Sequence, residues 1–312
     1  MRAPALGLLL DALRGVTWPA RERVCAGLPG THRANQRGTS GEFTEYRAYR
    51  QGDDPRRLDW KLLARSDRAY LRVTDERAWV PTWLLVDASA SLGFPASSDA
   101  TSPPWAQHAA PSKWDIACAL AVGLAATAHA GGDPVGLLVS TRPEPQRLPP
   151  RTRRGTVHSI ARLLASITPR DDAPLAPLLS RVPAGARIGL VTDALGDEAA
   201  LLAAIARARV AGSEVLVVQV VHPLELQPPV GDWLMQDPEH APTTRVLTRE
   251  RRLAYRTQFD AWRADVARRV HATGARHVEV RCDEAPAHAV RRMVRGHEVS
   301  VGTARDITGR SA

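Results

Sequence analysis

The chain has 312 residues and a formal net charge of +9, and 44% of its residues are hydrophobic, enough for one large or two modest domains. Lys61 and Lys113 are the only lysines among 42 basic residues, and neither follows a glycine, which excludes a P-loop nucleotidase. The three cysteines are far apart, which argues against a disulfide framework and against CxxC zinc sites. The longest apolar run, residues 116–128, is too short to span a bilayer, and we expect a cytoplasmic protein.

The first part of the chain, residues 1–79, is small, polar and rich in Gly and Arg. Residues 43–49 and 69–74 alternate apolar and polar positions, a pattern typical of half-buried β-strands. The segment Gly52-Asp53-Asp54-Pro55 lies between them and has the composition of a turn. Together these features predict a small β-rich module.

From residue 80 to residue 296, short apolar runs alternate with longer helical patterns, which predicts a parallel sheet wrapped by helices. The apolar runs are nearly continuous, as expected for strands covered on both faces, and they span residues 83–87, 135–140, 188–193, 215–221 and 278–281. A helix over 114–130 is apolar nearly all round and should be buried, and one over 248–272 has a single apolar stripe. The predicted fold class is α/β, with a doubly wound, mostly parallel sheet and a flexible tail over 297–312.

Two long stretches, residues 94–112 and 222–247, are poor in periodicity and rich in Pro or Ser. Long loops in compact domains are often functional. For the first stretch a tolerated insertion is an equally good interpretation.

The most informative segment is a predicted strand that runs directly into Asp87-Ala88-Ser89-Ala90-Ser91. Ligand sites of parallel α/β sheets form beyond the carboxyl ends of the strands, and one carboxylate with two hydroxyls suits a hard cation such as Mg²⁺. Asp193 ends a second predicted strand, which can lie beside the first. The alternative is that Asp87 and the serines only hydrogen-bond to loop amides.

This pattern resembles the metal-ion-dependent adhesion site of von Willebrand factor A domains. In such domains Asp-x-Ser-x-Ser, a Thr and a distal Asp surround one divalent cation, which keeps a position open for a partner's carboxylate. The resemblance implies a Mg²⁺ or Mn²⁺ site with Asp87, Ser89, Ser91 and the distal Asp193 as ligands. The stretch that should supply the Thr, residues 171–175, has no hydroxyl, so that either Asp172 replaces it or the site is weakened.

A second resemblance covers most of the chain. Residues 41–61, GEFTEYRAYRQGDDPRRLDWK, closely resemble the signature of the bacterial and archaeal family called domain of unknown function 58, and the likeness runs from about residue 30 to residue 296. It implies a von Willebrand factor A-type domain after the small module, in a form without the membrane helices of many members. Because genes of this family commonly lie beside those of MoxR-type AAA+ ATPases, it also implies an adaptor or assembly factor that binds such an ATPase or its client.

The signature interleaves arginines with acidic residues, and charges so placed usually pair. One interpretation is an ion-pair and turn framework, with Tyr46, Tyr49 and Trp60 packed beneath it. The other is a partner-binding face, since arginine and aromatic residues are enriched at interface hot spots. The candidate partner-binding residues are Arg47, Arg50, Asp53, Asp54, Arg56, Asp59 and Trp60.

Other functions fit the sequence less well. Five arginines over residues 142–154 make nucleic-acid binding the main competitor from charge alone, and a metal-free scaffold of the same fold is a further alternative. Ser89 stands where a haloacid dehalogenase-type phosphatase needs its second Asp, and no G-x-S-x-G elbow surrounds Ser89 or Ser91. His297-Glu298 lacks the second His of HExxH. We expect a protein that acts by binding and is not an enzyme.

Overall fold

The computed structural model of the protein describes residues 3–20, 29–38, 42–51, 53, 58–66, 68–95, 110–172, 174–231, 233–236 and 244–295. An antiparallel sheet in the order β1-β3-β2 comes first, formed by β1 (Pro29–Gly38), β2 (Glu42–Ala48) and β3 (Tyr70–Ala78), with helix α2 (Trp60–Ser66) between β2 and β3 in the chain. The predicted strands β2 and β3 are confirmed. Strand β1 was not predicted, because its sequence PGTHRANQRG has no apolar alternation.

The main sheet has six strands: β4 (Thr82–Asp87), β5 (Val135–Ser140), β6 (Gln146–Arg151), β7 (Arg187–Thr192), β8 (Glu214–Val221) and β11 (Arg276–Arg281). Their order across the sheet is β11-β8-β7-β4-β5-β6. Five of them pair in parallel and β6 pairs antiparallel to β5 at one edge. Strands β4, β5 and β7 are buried along their whole length, because helices cover both faces of the sheet. The predicted α/β fold, a mostly parallel sheet of von Willebrand factor A type preceded by a small antiparallel sheet, is confirmed.

The helices divide between the two faces of the main sheet, as a doubly wound fold requires. One apolar core joins the sheet to α1 (Ala3–Ala12), α3 (Lys113–Ala130), α4 (Thr156–Ala165) and α9 (Pro286–Arg295). The other joins it to α5 (Ala176–Leu179), α6 (Glu198–Val210) and α8 (Arg249–Ala272). Helix α3 is buried on nearly every side, as its apolar sequence predicted, and the stripe of α8 packs through Val266 and Val270.

The first helix and the residues after it belong to the core of the main domain. Leu9, Leu13 and Trp18 are buried there, and the backbone amide of Trp18 donates to the carbonyl oxygen of Thr127 on α3 at 3.1 Å. The guanidinium of Arg187 lies over the Trp18 ring, 5.0 Å from its centroid. The structure therefore differs from the predicted boundary, which assigned all of residues 1–79 to the N-terminal module.

The predicted long loops contain further elements. Residues 222–247 include the short helix α7 (Pro223–Leu226) and an antiparallel pair, β9 (Trp233–Gln236) with β10 (Thr244–Leu247). Most of the stretch 94–112, residues 96–109, and the predicted tail over 297–312 lie outside the described residues.

None of the helices in the described ranges is long and apolar enough to cross a membrane. Helix α3 is apolar but has 18 residues, and the 24-residue helix α8 carries arginines along its length. The expected cytoplasmic location stays a prediction.

Candidate functional site

Three neighbouring strands bring oxygen atoms together at the carboxyl edge of the main sheet. Asp87 ends β4, its register partner on β5 is Ser140, and Thr192 of β7 follows the Val86–Val191 pair. Thr192 Oγ1 donates to Asp87 Oδ2 at 2.7 Å, and Ser140 Oγ donates to Asp87 Oδ1 at 3.4 Å. Asp87 therefore lies between two buried hydroxyls that sequence analysis did not assign to the site.

The serines of the motif lie in the loop directly after Asp87. The backbone amide of Ser89 donates to Asp87 Oδ1 at 2.9 Å. The hydroxyl oxygens of Ser89 and Ser91 are 3.1 Å apart, and both residues are 5% exposed. A short 3₁₀ helix over residues 90–93 sets the second serine beside the first. The structure thus brings Asp87, Ser89 and Ser91 together as the motif predicted.

A second loop runs alongside this one and holds it by its backbone. The amide of Arg170 donates to the carbonyl of Ala88, and the amide of Ala90 donates to the carbonyl of Asp171, both at 3.0 Å. Asp171 has a φ of +60°, in the left-handed region that non-glycine residues seldom adopt. The side chain of Asp172, the predicted replacement ligand, is exposed, and its carbonyl oxygen accepts a hydrogen bond from Arg142 Nε.

Asp193, the predicted distal ligand, is bound by a buried lysine. Lys113 Nζ donates to Asp193 Oδ2 at 2.7 Å, and the side chains are 1% and 2% exposed. The other carboxylate oxygen, Oδ1, accepts from the amide of Leu195 at 3.1 Å. The residue between them, Ala194, has a φ of +63°. Asp193 is close enough to Asp87 to raise its pKa, but both of its own oxygens have protein partners.

The same lysine reaches a third segment of the chain. Lys113 Nζ donates to Glu225 Oε1 at 2.8 Å, and Glu225 Oε2 accepts from the amide of His222 at 2.8 Å. His222 Nδ1 in turn accepts from the amide of Leu224 at 3.2 Å, which completes a capping box on α7. The pKa of His222 is lowered, and burial of the ring is the largest cause. The ring therefore stays neutral at pH 7. Lys113 therefore joins the starts of α3 and α7 to the end of β7.

The buried cluster has more negative than positive charge. With every group ionised, the carboxylates of Asp87, Asp193 and Glu225 and the ammonium of Lys113 leave a net charge of −2. Burial and the neighbouring Asp193 raise the pKa of Asp87 to about 6, while hydrogen bonds to Ser89 and Thr192 oppose the shift. A buried carboxylate with a raised pKa needs either a proton or a positive partner.

The donor set at Asp87 fits a hard divalent cation. Adjacent oxygen ligands of octahedral Mg²⁺ are about 3 Å apart, and the Ser89 and Ser91 hydroxyls are 3.1 Å apart. Asp87 Oδ2 has one protein donor and therefore retains a lone pair. In the described ranges no three His, Cys, Asp or Glu side chains form a metal-binding group. The candidate site thus depends on one carboxylate and on hydroxyl oxygens.

The described arginines of the N-terminal signature form a hydrogen-bonded turn. Arg47 donates to Asp53 Oδ1 at 2.6 Å, and the amide of Arg50 donates to Asp53 Oδ2 at 2.8 Å. The hydrogen bond from Arg47 is the main reason that the pKa of Asp53 is lowered. These contacts agree with the ion-pair and turn framework. Two further candidates, Asp54 and Arg56, lie outside the described residues.

Two aromatic residues of the signature, Tyr46 and Trp60, are more exposed than predicted. Asp59 caps α2 by accepting from two of its first-turn amides at 3.1 and 3.0 Å, and Tyr46 donates its hydroxyl to Asp59 Oδ2 at 3.0 Å. Trp60 is 64% exposed and Tyr46 is 45% exposed. The prediction that Tyr46 and Trp60 pack beneath the ion pairs is therefore wrong, whereas Tyr49, the third aromatic residue of that prediction, is half-buried. An exposed Trp60 is compatible with the partner-binding interpretation.

The five arginines of residues 142–154 lie in and around the edge strand β6. Most of this strand is exposed, and Pro149 and Pro150 lack the amides that another strand would need for pairing. The guanidinium of Arg147 lies over the Trp83 ring at 5.4 Å, so it contributes to packing. The remaining arginines of the cluster, Arg142, Arg151, Arg153 and Arg154, lie on a solvated face.

The sequence from Glu45 to Arg268, most of the chain, matches the family described as "Protein of unknown function DUF58". The chain belongs to this family. The chain is also 31% identical over 289 residues to the uncharacterized protein Rv1480 of Mycobacterium tuberculosis. This alignment covers 88% of this chain and 85% of Rv1480. The family assignment agrees with the signature at residues 41–61.

Solved structures similar to this DUF58 protein include BatB of Bacteroides thetaiotaomicron, a conserved hypothetical protein. The two are 19% identical with a TM-score of 0.44, over 69% of this chain and 97% of BatB. The von Willebrand factor A domain of SpRpn10 is 10% identical with a TM-score of 0.36, over 68% of this chain and 94% of that domain. The fold assignment rests on the strand order of the main sheet, and these likenesses add nothing about function.

Proposed function

We propose that this DUF58 protein is a non-catalytic adaptor that binds a partner protein through a divalent cation at Asp87. The observation that carries the proposal is the buried donor set at the carboxyl edge of the sheet, where Asp87, Ser89 and Ser91 lie together and Asp87 belongs to a cluster with a net charge of −2 when ionised. One carboxylate and two neighbouring hydroxyls are ligands that suit a hard cation, and this donor set is the support for a binding role.

The candidate ligands of Mg²⁺ or Mn²⁺ are the Asp87 carboxylate and the hydroxyls of Ser89 and Ser91. When bound, the cation supplies a positive charge that a partner's carboxylate can approach. Thr192 and Ser140 orient the Asp87 carboxylate by hydrogen bonds. Asp193, held by Lys113, contributes negative charge at short range and is a positioning residue.

The partner we propose is a MoxR-type AAA+ ATPase or one of its clients, as the resemblance of the signature implies. The exposed side chain of Trp60 and the Arg47–Asp53 turn are the described features that support a contact surface on the N-terminal module. This surface and the cation site would then serve one partner.

The first test is thermal unfolding with and without Mg²⁺ or Mn²⁺. A ligand that binds only the native state stabilises it, by about 2.7 kcal/mol at 100 times its Kd. We expect a rise in Tm of a few degrees for the wild type and no rise for Asp87→Ala. The matched control is Asp260→Ala, which removes an exposed aspartate on α8. Equal melting of wild type and Asp87→Ala with and without either metal contradicts the cation site and leaves the metal-free scaffold.

The second test is binding of the purified MoxR-type ATPase from the same genome. Asp87→Ala should weaken the interaction and Asp260→Ala should not. Trp60→Ala should weaken it with no change in the Mg²⁺-dependent Tm, because Trp60 is exposed and lies on a separate element. If Asp87→Ala and Trp60→Ala both bind the ATPase as the wild type does, this partner assignment fails.

The exposed arginines in and around β6, namely Arg142, Arg151, Arg153 and Arg154, favour nucleic-acid binding as a second candidate function. Phosphate contacts release counterions, so the affinity for an oligonucleotide would fall steeply as salt is added. Loss of binding with salt but not on Asp87→Ala would favour this candidate over the cation site.

A further inference from the structure

A solvent-open cavity of about 650 Å³ lies next to the candidate cation site. It is bounded by the turn between β5 and β6 and by the segment that follows α4, and Ala88 contributes to its wall. Because Ala88 stands between Asp87 and Ser89, the cavity and the cation site share one loop. A cavity of this volume is in the range that holds several side chains of a ligand.

Two arginines make the cavity positive. Arg142 and Arg170 line it against a single carboxylate, Glu144. Arg142 Nε donates to the carbonyl of Asp172, which fixes the plane of its guanidinium. No carboxylate within the described ranges forms an ion pair with Arg142, and Arg170 has one loose and exposed pair, at 3.8 Å, with Asp171. Each guanidinium can therefore bind one carboxylate through two parallel N–H donors.

The rest of the lining is mixed. Leu163, Ile167 and Pro143 give an apolar part, and Gln146 and Thr168 give polar side chains. The hydroxyl of Thr141, also in the lining, already donates to the carbonyl of Glu144 at 2.6 Å. An apolar part beside two arginines suits a peptide in which apolar and acidic side chains alternate.

We propose that this cavity receives an acidic peptide segment of the partner, with acidic side chains on Arg142 and Arg170 and an apolar side chain against Leu163 and Ile167. The inference rests on the proposed function, since the same segment would place a further carboxylate at the cation held by Asp87. It adds the class of the partner's recognition segment. The shared loop at Ala88 allows one extended segment to reach both places.

The test uses a fluorescein-labelled peptide of eight alternating glutamate and leucine residues in Mg²⁺ buffer, with anisotropy as the readout. We expect binding to the wild type, and a loss of about tenfold in affinity for Arg142→Gln and for Arg170→Gln, the usual effect of removing one charged hydrogen-bonding group. The control Arg207→Gln removes the same charge from α6, on the other face of the sheet, and should not change the affinity. A peptide with glutamine in place of glutamate should not bind.

Separate readouts distinguish failure of this inference from failure of the cation site. The rise in Tm with Mg²⁺ alone should be the same for Arg142→Gln, Arg170→Gln and the wild type. If that rise is absent but peptide binding still depends on both arginines, the cation proposal fails and the acidic-segment inference stands. If the wild type does not bind the peptide, or binds it equally well after both substitutions, the inference is wrong. It is also wrong if a twelve-residue oligodeoxythymidine displaces the peptide at lower concentration, since the cavity then serves nucleic acid.

Discussion

Replacement of Lys113 by methionine should destabilise the protein more than any change on its surface. The ammonium is 1% exposed and forms two ion pairs, at 2.7 Å with Asp193 and at 2.8 Å with Glu225. Burial lowers the pKa of Lys113, and the two carboxylates raise it by more, so the net shift is upward and the lysine stays charged. Methionine fills nearly the same volume, so the substitution removes charge with little change in packing.

The magnitude follows from what the substitution leaves behind. The side chains of Asp193 and Glu225 are only 2% and 13% exposed, so neither gains full hydration when the lysine is lost. Removal of one partner of a buried ion pair costs about 3–5 kcal/mol. In a domain of this size each kcal/mol lowers Tm by about 2–4 °C, which gives a decrease of about 10 °C.

The assay is thermal and urea unfolding of purified variants in buffer with chelator, so that no metal contributes. Lys61→Met is the matched control, because Lys61 is the only other lysine in the chain and lies on the exposed face of α2. Glu225→Gln keeps the Lys113–Asp193 pair and an acceptor for the His222 amide, and should cost about 1–2 kcal/mol. If Lys113→Met melts within about 2 °C of the wild type, the buried ion pairs are not important to stability.

Two further predictions concern other parts of the sheet. Burial, followed by the charge of His271, lowers the pKa of His277 to about 4. The free energy of unfolding should therefore fall, by at most about 3 kcal/mol, as the pH drops from about 6.5 to about 4. In His277→Gln the urea midpoint should depend less on pH across this range, and an unchanged pH dependence would contradict the assignment. Gly136→Ala should lower Tm strongly, because the new Cβ would stand 2.9 Å from the backbone nitrogen of Pro150. The control Gly196→Ala should leave Tm unchanged, because nothing lies within 4 Å of its Cβ position. Equal Tm values for the two variants would contradict this packing.

The main sheet could be predicted from sequence because each of its central strands is a short, nearly continuous apolar run. Such runs alternate with longer helical patterns, and that order alone indicates a parallel sheet. Strand β6 was missed because its sequence QRLPPR is polar and contains two prolines, both typical of an edge strand and of a loop. Helix α1 was not predicted because Asp11 interrupts its short apolar run. Its burial also depends on the distant helices α3 and α9.

Some residues of the candidate site are close together in the sequence, and others are brought together only by strand pairing. Asp87, Ser89 and Ser91 lie within five residues of one another, so spacing alone predicted that they share a loop. The contact of Thr192 with Asp87 depends on the pairing of β7 with β4 and could be inferred only once that register was known.

Lys113 begins α3, but the candidate site, and not the helix, stabilises its charge. It is the first residue after the Ser112 cap, where the helix dipole disfavours a positive charge by about 0.3–1 kcal/mol. The two carboxylates that it contacts offset this cost and the cost of its burial, and they come from segments 80 and 112 positions away. By pairing with Asp193, the lysine leaves Asp87 as the carboxylate of the cluster whose described hydrogen-bond donors are uncharged amide and hydroxyl groups. The edge of the sheet is therefore asymmetric, with a fixed ion pair on one side and the candidate cation ligands on the other.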